Sequence, residues 1–408
     1  MKDSGISWVG EIPTNWTIGR IGGLYSLRNQ KVSDKDYEPL SVTMKGVLPQ
    51  LETAAKTNDG DNRKLVRKGD FAINSRSDRR GSCGIADRDG SVSLINTILK
   101  PRNQMNARYY NWLFHTPMFA DEFYKWGHGI VDDLWSTNWE EMKKIQIPFP
   151  SLVEQQRIAE FLDRECGKID GLKADIQAQI DTLEQYKRSI ITEAVTHGLN
   201  PSAPMKECSV SWARQIPQHW KVMPNKHLMT KIKNICPIYK GEDILSLTMY
   251  GVIVRDLDAG GKMPSSFDGY QYIKKDNLLM CLFDIDVTPR CIGIIKQNGI
   301  TSPAYSQFKM KKIANARFYY YYYLMLDYTK ELLHLAKNLR HSLTEDQLGA
   351  IKQLVPPLDE QQEIADYLDN KCAEIERIIA DKKTQIETLD GYKKSLIYEY
   401  VTGKKEVV

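Results

Sequence analysis

From Glu154 to Thr196 apolar residues return at alternating steps of three and four. They are Ile169, Leu172, Ile176, Leu183, Tyr186 and Ile190, with polar Gln179 in the one remaining slot. No proline interrupts the stretch, and its only glycines are Gly167 and Gly171. This spacing predicts a long helix with a heptad seam, packed lengthwise on another helix. The chain supplies the partner: Glu360 to Thr402 aligns with it at a shift of 206 positions, identical at 22 of 43 places. Its seam is Ile375, Ile378, Leu389, Tyr392 and Leu396, with Tyr392 opposite Tyr186 and Cys372 opposite Cys166. The chain is therefore two tandem copies of one unit.

The copies echo each other outside the helices. Ser7-Trp8 to Trp16 and Ser211-Trp212 to Trp220 share the pattern SWxxxIPxxW, which reads as an extended segment pinned down by buried rings. LSVTMKGV at 40–47 matches LSLTMYGV at 245–252, a strand running into a turn at glycine. Asn106 and Asn315 precede matching aromatic runs and are expected to cap the helices that start there. In the run Phe318 to Tyr323, alternate rings are expected to be buried in a helix rather than stacked on bases. Proline connectors at 147–151 and 355–359 stop the preceding structure and set the entry to each long helix. Four segments follow: a mixed globule at 1–150, a helix at 151–200, a second globule at 201–353 and a second helix at 354–408. The fold class is α+β, two mixed α/β globules and two long coiled-coil helices.

Charge divides along the same lines. The globules carry net charges of +3 and +8, the helical segments −3 and −4. Basic globules suit a polyanion, acidic helices a protein partner. The seven cysteines are scattered without a CxxC pair, which fits a reducing cytosol. The opening MKDSGISWVGEIP has no signal-peptide core, and no apolar run reaches membrane-spanning length.

A catalytic reading finds no phosphate loop, no GxGxxG, no methyltransferase tetrapeptide and no metal-ligand pair. Asp133 with Glu141-Met142-Lys143 imitates a nuclease carboxylate set only at chance level. The loops between the echoes diverge, which suggests two related surfaces for two different ligand elements. Ser75, Arg76, Ser77, Arg79 and Arg80 share one glycine-flanked turn, suited to guanine or phosphate. The competing reading is a solvated loop with Asp78 paired internally. Asp284, Thr288 and Arg290 offer an acceptor and donors in the second globule. His128 sits between two glycines; Lys309 is expected to touch backbone. Lys45 and Tyr250, at matching turns, and Arg340 complete the candidate DNA-binding set.

Together the tryptophan openings, the connectors followed by Glu154-Gln155-Gln156 and Glu360-Gln361-Gln362, the repeated helices and the stretch Asp70 to Ser77 resemble the specificity subunits of type I DNA restriction–modification systems. The resemblance implies two target recognition domains and two antiparallel spacer helices related by a pseudo-twofold axis. Each helix of 43 residues is about 65 Å long. It implies a cytoplasmic, non-catalytic subunit that reads an asymmetric bipartite site on double-stranded DNA. Two modification subunits and the restriction subunits are its expected partners. S-adenosylmethionine, ATP and Mg2+ are expected on those partners and no cofactor on this chain. A protein–protein scaffold, or a self-contained nuclease or methyltransferase, is the alternative.

Overall fold

The structure, a computed structural model, describes residues 1–50, 59–76, 79–102, 105–129, 135–258, 264–288, 290–336 and 341–407. It divides into two compact units. One comprises Met1–Ile176 with Lys383–Val408, the other Gln177–Lys382. Each unit thus contains one globule and a part of both long helices.

The two globules are built on one plan. In the first, an antiparallel sheet runs in the order Cys83–Ile85, Phe71–Asn74, Asn96–Pro101, Tyr25–Arg28. In the second the order is Ile292–Ile294, Leu278–Met280, Ser306–Met310, Met229–Ile232. The helices Ala107–Phe114 and Ala316–Tyr328 belong to the cores on these sheets. Asn106 and Asn315 cap them, accepting from Tyr109 N–H and from the Arg317 and Phe318 N–H groups. In the run Phe318 to Tyr323 every ring is buried except that of Tyr320, which is half-buried. Burial is fuller than simple alternation because the helix is enclosed by sheet, connector strand and long helix.

The proline connectors begin as strands rather than stops. Gln146–Phe149 pairs with Thr17–Arg20, and Lys352–Val355 with Lys221–Pro224. Each is a two-stranded ladder, where the amide that Pro148 lacks costs no second neighbour.

Both long helices form without a break, at Leu152–His197 and Leu358–Val401. Gly198 at φ +77 and Gly403 at φ +71 supply the left-handed residues beyond their ends. In each unit the helix segments are antiparallel. Asp170 pairs with Lys393 at 2.6 Å and Lys173 with Asp390 in the first; Gln179 bonds Lys382 and Lys187 pairs with Glu376 in the second. The pairs Asp170–Lys393 and Glu376–Lys187 are repeat equivalents.

The seam differs from the spacing read from sequence at every other slot. Ile169, Ile176, Leu183 and Ile190 face inward as expected, and so do Ile375, Leu389 and Leu396. The intervening slots belong to Lys173, Ile180 and Lys187, not to Leu172, Gln179 and Tyr186. Ile180 is 2% exposed, whereas Leu172 is 50% and Tyr186 53% exposed. On the second helix Ile379, Ile386 and Lys393 are turned in, while Ile378 and Tyr392 are exposed. Both registers have heptad spacing. The lysines tip the balance because their stems lie along the seam while their ammonium groups reach acidic residues on the other helix.

Candidate nucleic-acid interface

The Glu-Gln-Gln triplets join each globule to its helix. Glu154 Oε1 accepts from the Trp16 indole at 3.0 Å, and Glu360 Oε1 from Trp220 at the same distance. The second tryptophan of SWxxxIPxxW is thus a buried ring with its N–H on the helix start. Gln155 accepts from the Asn106 N–H at 2.8 Å and donates to the Pro150 carbonyl at 2.9 Å. Gln361 does the same with Asn315 at 2.8 Å and Pro356 at 2.9 Å, and also reaches the Ile313 carbonyl at 3.0 Å. Gln156 and Gln362 receive the side-chain amides of the same asparagines. The triplet therefore fixes the globule on the helix and leaves the loops at other edges free for recognition.

Burial pushes the Glu154 carboxyl up, but hydrogen bonds from Ser151, Trp16 and Asn15 outweigh it and hold the group below the usual carboxylate range. A depressed folded-state pKa gives stability above the unfolded value, lost as pH falls through the folded one. Glu154→Gln should therefore show a shallower loss of melting temperature than the parent below about pH 4, read by thermal unfolding across pH.

In the first unit three short stretches converge. The backbone of Arg76 bridges Ser136, and Ser136 also bridges His128, through bonds of 3.0 and 3.1 Å. Thr137 N–H donates to the Ser75 carbonyl at 2.9 Å. Arg76 and His128 are exposed on this ladder. Arg80, in contrast, is engaged: it pairs with Asp121 at 2.7 Å and lies over the Tyr124 ring at 4.5 Å. Arg79 is exposed, and Ser77 lies outside the described residues, as do Asp78 and Asp133. Gly127 is required here, since a Cβ would stand 2.3 Å from the Trp135 indole nitrogen. Beside the ladder a cleft of about 540 Å³ opens between Arg76, Thr97 and Asn138. Glu141 sits in a four-residue helix with its carboxylate on Lys144 at 3.0 Å.

In the second unit the stretch 281–288 is clamped. Asp284 (φ +48), Lys330 (φ +53) and His341 (φ +41) all adopt left-handed backbone. The Lys330 ammonium donates to the carbonyls of Ile285 and Thr288, at 3.2 and 3.0 Å, and to Asp327 at 2.9 Å. Asp327 also receives the Cys291 N–H at 2.8 Å. Thr288 spends its hydroxyl on the Asp284 carbonyl at 2.7 Å. Strained residues that persist around one loop mark a pre-organised surface. Lys309 is exposed on its strand and lines a cavity of about 880 Å³ with Lys274, Lys275 and Asn277. Arg340 lies outside the described residues.

Matching hairpins, 40–49 and 245–254, end in matching turns. Thr43 and Thr248 bond the carbonyls of Gly46 and Gly251, at 3.0 and 3.1 Å. These glycines have φ +109 and +99, which explains why both copies keep them. Lys45 and Tyr250 occupy the same exposed tip position. Arg290 donates to the Met249 carbonyl at 3.0 Å and to the Tyr320 hydroxyl at 3.0 Å, so it holds the second tip in place. Sequence reading missed Ser136, Lys330 and the bracing role of Arg290. The ladder at Ser136 joins residues sixty positions apart, which local pattern does not report.

No helix among the described residues is long and apolar enough to cross a membrane. A family model described as the type I restriction modification DNA specificity domain matches residues 13–182 and 291–388. The putative type I restriction enzyme MjaX specificity subunit of Methanocaldococcus jannaschii is 25% identical over 290 residues, 67% of this chain. The match spans 62% of that relative's length. A chain from work on complex assembly and conformational transition of the type I R-M system superposes with a TM-score of 0.73 at 12% identity, covering 97% of this chain and all of that one. The HsdS subunit of Thermoanaerobacter tengcongensis gives 0.51 at 13% identity, over 99% of this chain and 100% of its own. At such identities the structural likeness shows a shared fold.

Proposed function

Because the chain belongs to the type I restriction–modification DNA specificity family, we propose that its two units read the two unlike halves of one bipartite duplex site. The family carries DNA sequence specificity; the assignment of one half-site to each unit is the proposal. The observation that carries it is the contrast between scaffold and tips. Sheet order, helix clamps and one interhelical ion pair repeat, while the surfaces they present differ: Ser75-Arg76 and Lys45 in one unit, Asp284 and Tyr250 in the other. Arginine and lysine donate to guanine O6 and N7 or to phosphate, and aspartate accepts from an exocyclic amine. A repeat that had kept both surfaces alike would read a symmetric site.

In this reading the chain does no chemistry. It brings duplex DNA to two modification subunits, which carry S-adenosylmethionine and methylate adenine. Restriction subunits with ATP and Mg2+ act on the same complex. The exposed Leu172, Tyr186, Ile378 and Tyr392, outside the helix seam, are the apolar groups we assign to partner docking.

Exchanging residues 1–150 for the corresponding globule of another family member, then mapping methylated adenines in cells, should change one half of the methylated sequence. An unchanged sequence would overturn the reading. Arg76→Ala should cost about 1–3 kcal/mol of specific binding and relax base preference in one half-site, measured by competition with duplexes altered at single positions.

A further inference from the structure

The two hairpin tips expose more apolar surface than a turn needs. Met249 is 61% and Tyr250 75% exposed, side by side at the turn of 245–254; Met44 is 72% exposed at the equivalent place. Turns facing only water use glycine, asparagine, aspartate or serine, and adjacent large apolar side chains there signal a contact surface. The second tip is also held still. Arg290 spans from the Met249 carbonyl to the Tyr320 hydroxyl, and the Tyr320 ring lies 5.8 Å from its guanidinium. Arg290 therefore ties the tip, through one Nη, to the helix that carries Tyr320, through the other, and it is half-buried. Gly293 lets the hairpin lie close on the strand after the loop, since a Cβ there would stand 2.6 Å from Val252 Cγ2. Val287, on that loop, is itself strongly exposed. The surrounding globule has the larger positive charge, +8 over 201–353, which draws it to a phosphate-lined groove.

Base edges in the major groove offer one apolar feature, the 5-methyl group of thymine. A thioether and a phenol ring on a braced turn suit that group, whereas the lysine in the first tip suits a guanine edge or a phosphate. We propose that the Met249–Tyr250 tip, braced by Arg290 as a positioning residue, reads a thymine methyl in the half-site of the second unit. This rests on the two-half reading above and names what one half contains.

The test uses the full complex and a duplex carrying the sequence obtained by methylation mapping, with each thymine of the second unit's half-site replaced in turn by deoxyuridine. One replacement should weaken binding about fourfold, the worth of one methyl-sized group removed from an apolar contact. Tyr250→Ala should bind the thymine and deoxyuridine duplexes alike, and Tyr250→Phe should restore the difference, since the ring and not the hydroxyl makes the contact. Sequence-specific binding that is indifferent to every deoxyuridine, a half-site without thymine, or undiminished sensitivity in Tyr250→Ala would overturn the tip's role while leaving the two-half reading standing. Loss of sequence-specific binding by the parent complex would overturn both.

Discussion

Ile180→Asp should lower the unfolding free energy by about 3–5 kcal/mol, while Leu172→Asp should change it by about 0.5 kcal/mol or less. Both positions are aliphatic, and both fall on heptad spacing. They differ in where the helix points them. Ile180 is enclosed in the helix pair of its unit, so a carboxylate there loses its water. Leu172 already faces solvent, and aspartate gains water there. Denaturant unfolding of the purified chain, followed by circular dichroism, reads the difference. Equal losses at the two positions would place the seam on Leu172 after all. Because Leu172 belongs to the surface we assign to partner docking, its variant should fold yet assemble poorly with the modification subunits.

Gln361→Leu should cost about 3 kcal/mol or more, and Gln155→Leu somewhat less. The Gln361 amide is fully buried and serves three backbone groups, the Asn315 N–H and the Ile313 and Pro356 carbonyls. Leucine preserves the volume but strands all three, at about 1–3 kcal/mol for each buried group left unpaired. Gln155 serves two backbone groups, with a third, longer bond to the Tyr110 hydroxyl at 3.4 Å. Thermal unfolding of the two variants should preserve that order. A loss below about 1 kcal/mol for Gln361→Leu would mean that water replaces the amide and that the clamp is not a clamp.

The repeat carried much of the architecture on its face. Two copies of EQQxIA, of SWxxxIPxxW and of a proline-free heptad run required two equivalent globules and two long helices. The structure contains them with matching sheets. The role of the triplet was hidden, because its partners Trp16 and Asn106 lie 138 and 49 residues before it, and Trp16 reaches it through the strand pair 17–20 with 146–149. The loop chemistry was half legible. Arginine-rich composition marked the turn at 76–80, yet nothing local indicated that Arg80 is spent on Asp121 and Tyr124, or that Arg290 braces a hairpin forty residues away.

By itself the sequence determined the duplication, the approximate length of the two long helices, the caps Asn106 and Asn315 and the turn glycines Gly46 and Gly251. These depend on residues a few places apart, whose geometry the backbone period dictates. Tertiary structure alone decided which heptad register is buried and which arginines are engaged. Leu172 and Ile180 both satisfy the period, and only the lysine–carboxylate pairs with the opposite helix, reaching across some two hundred residues, select between them.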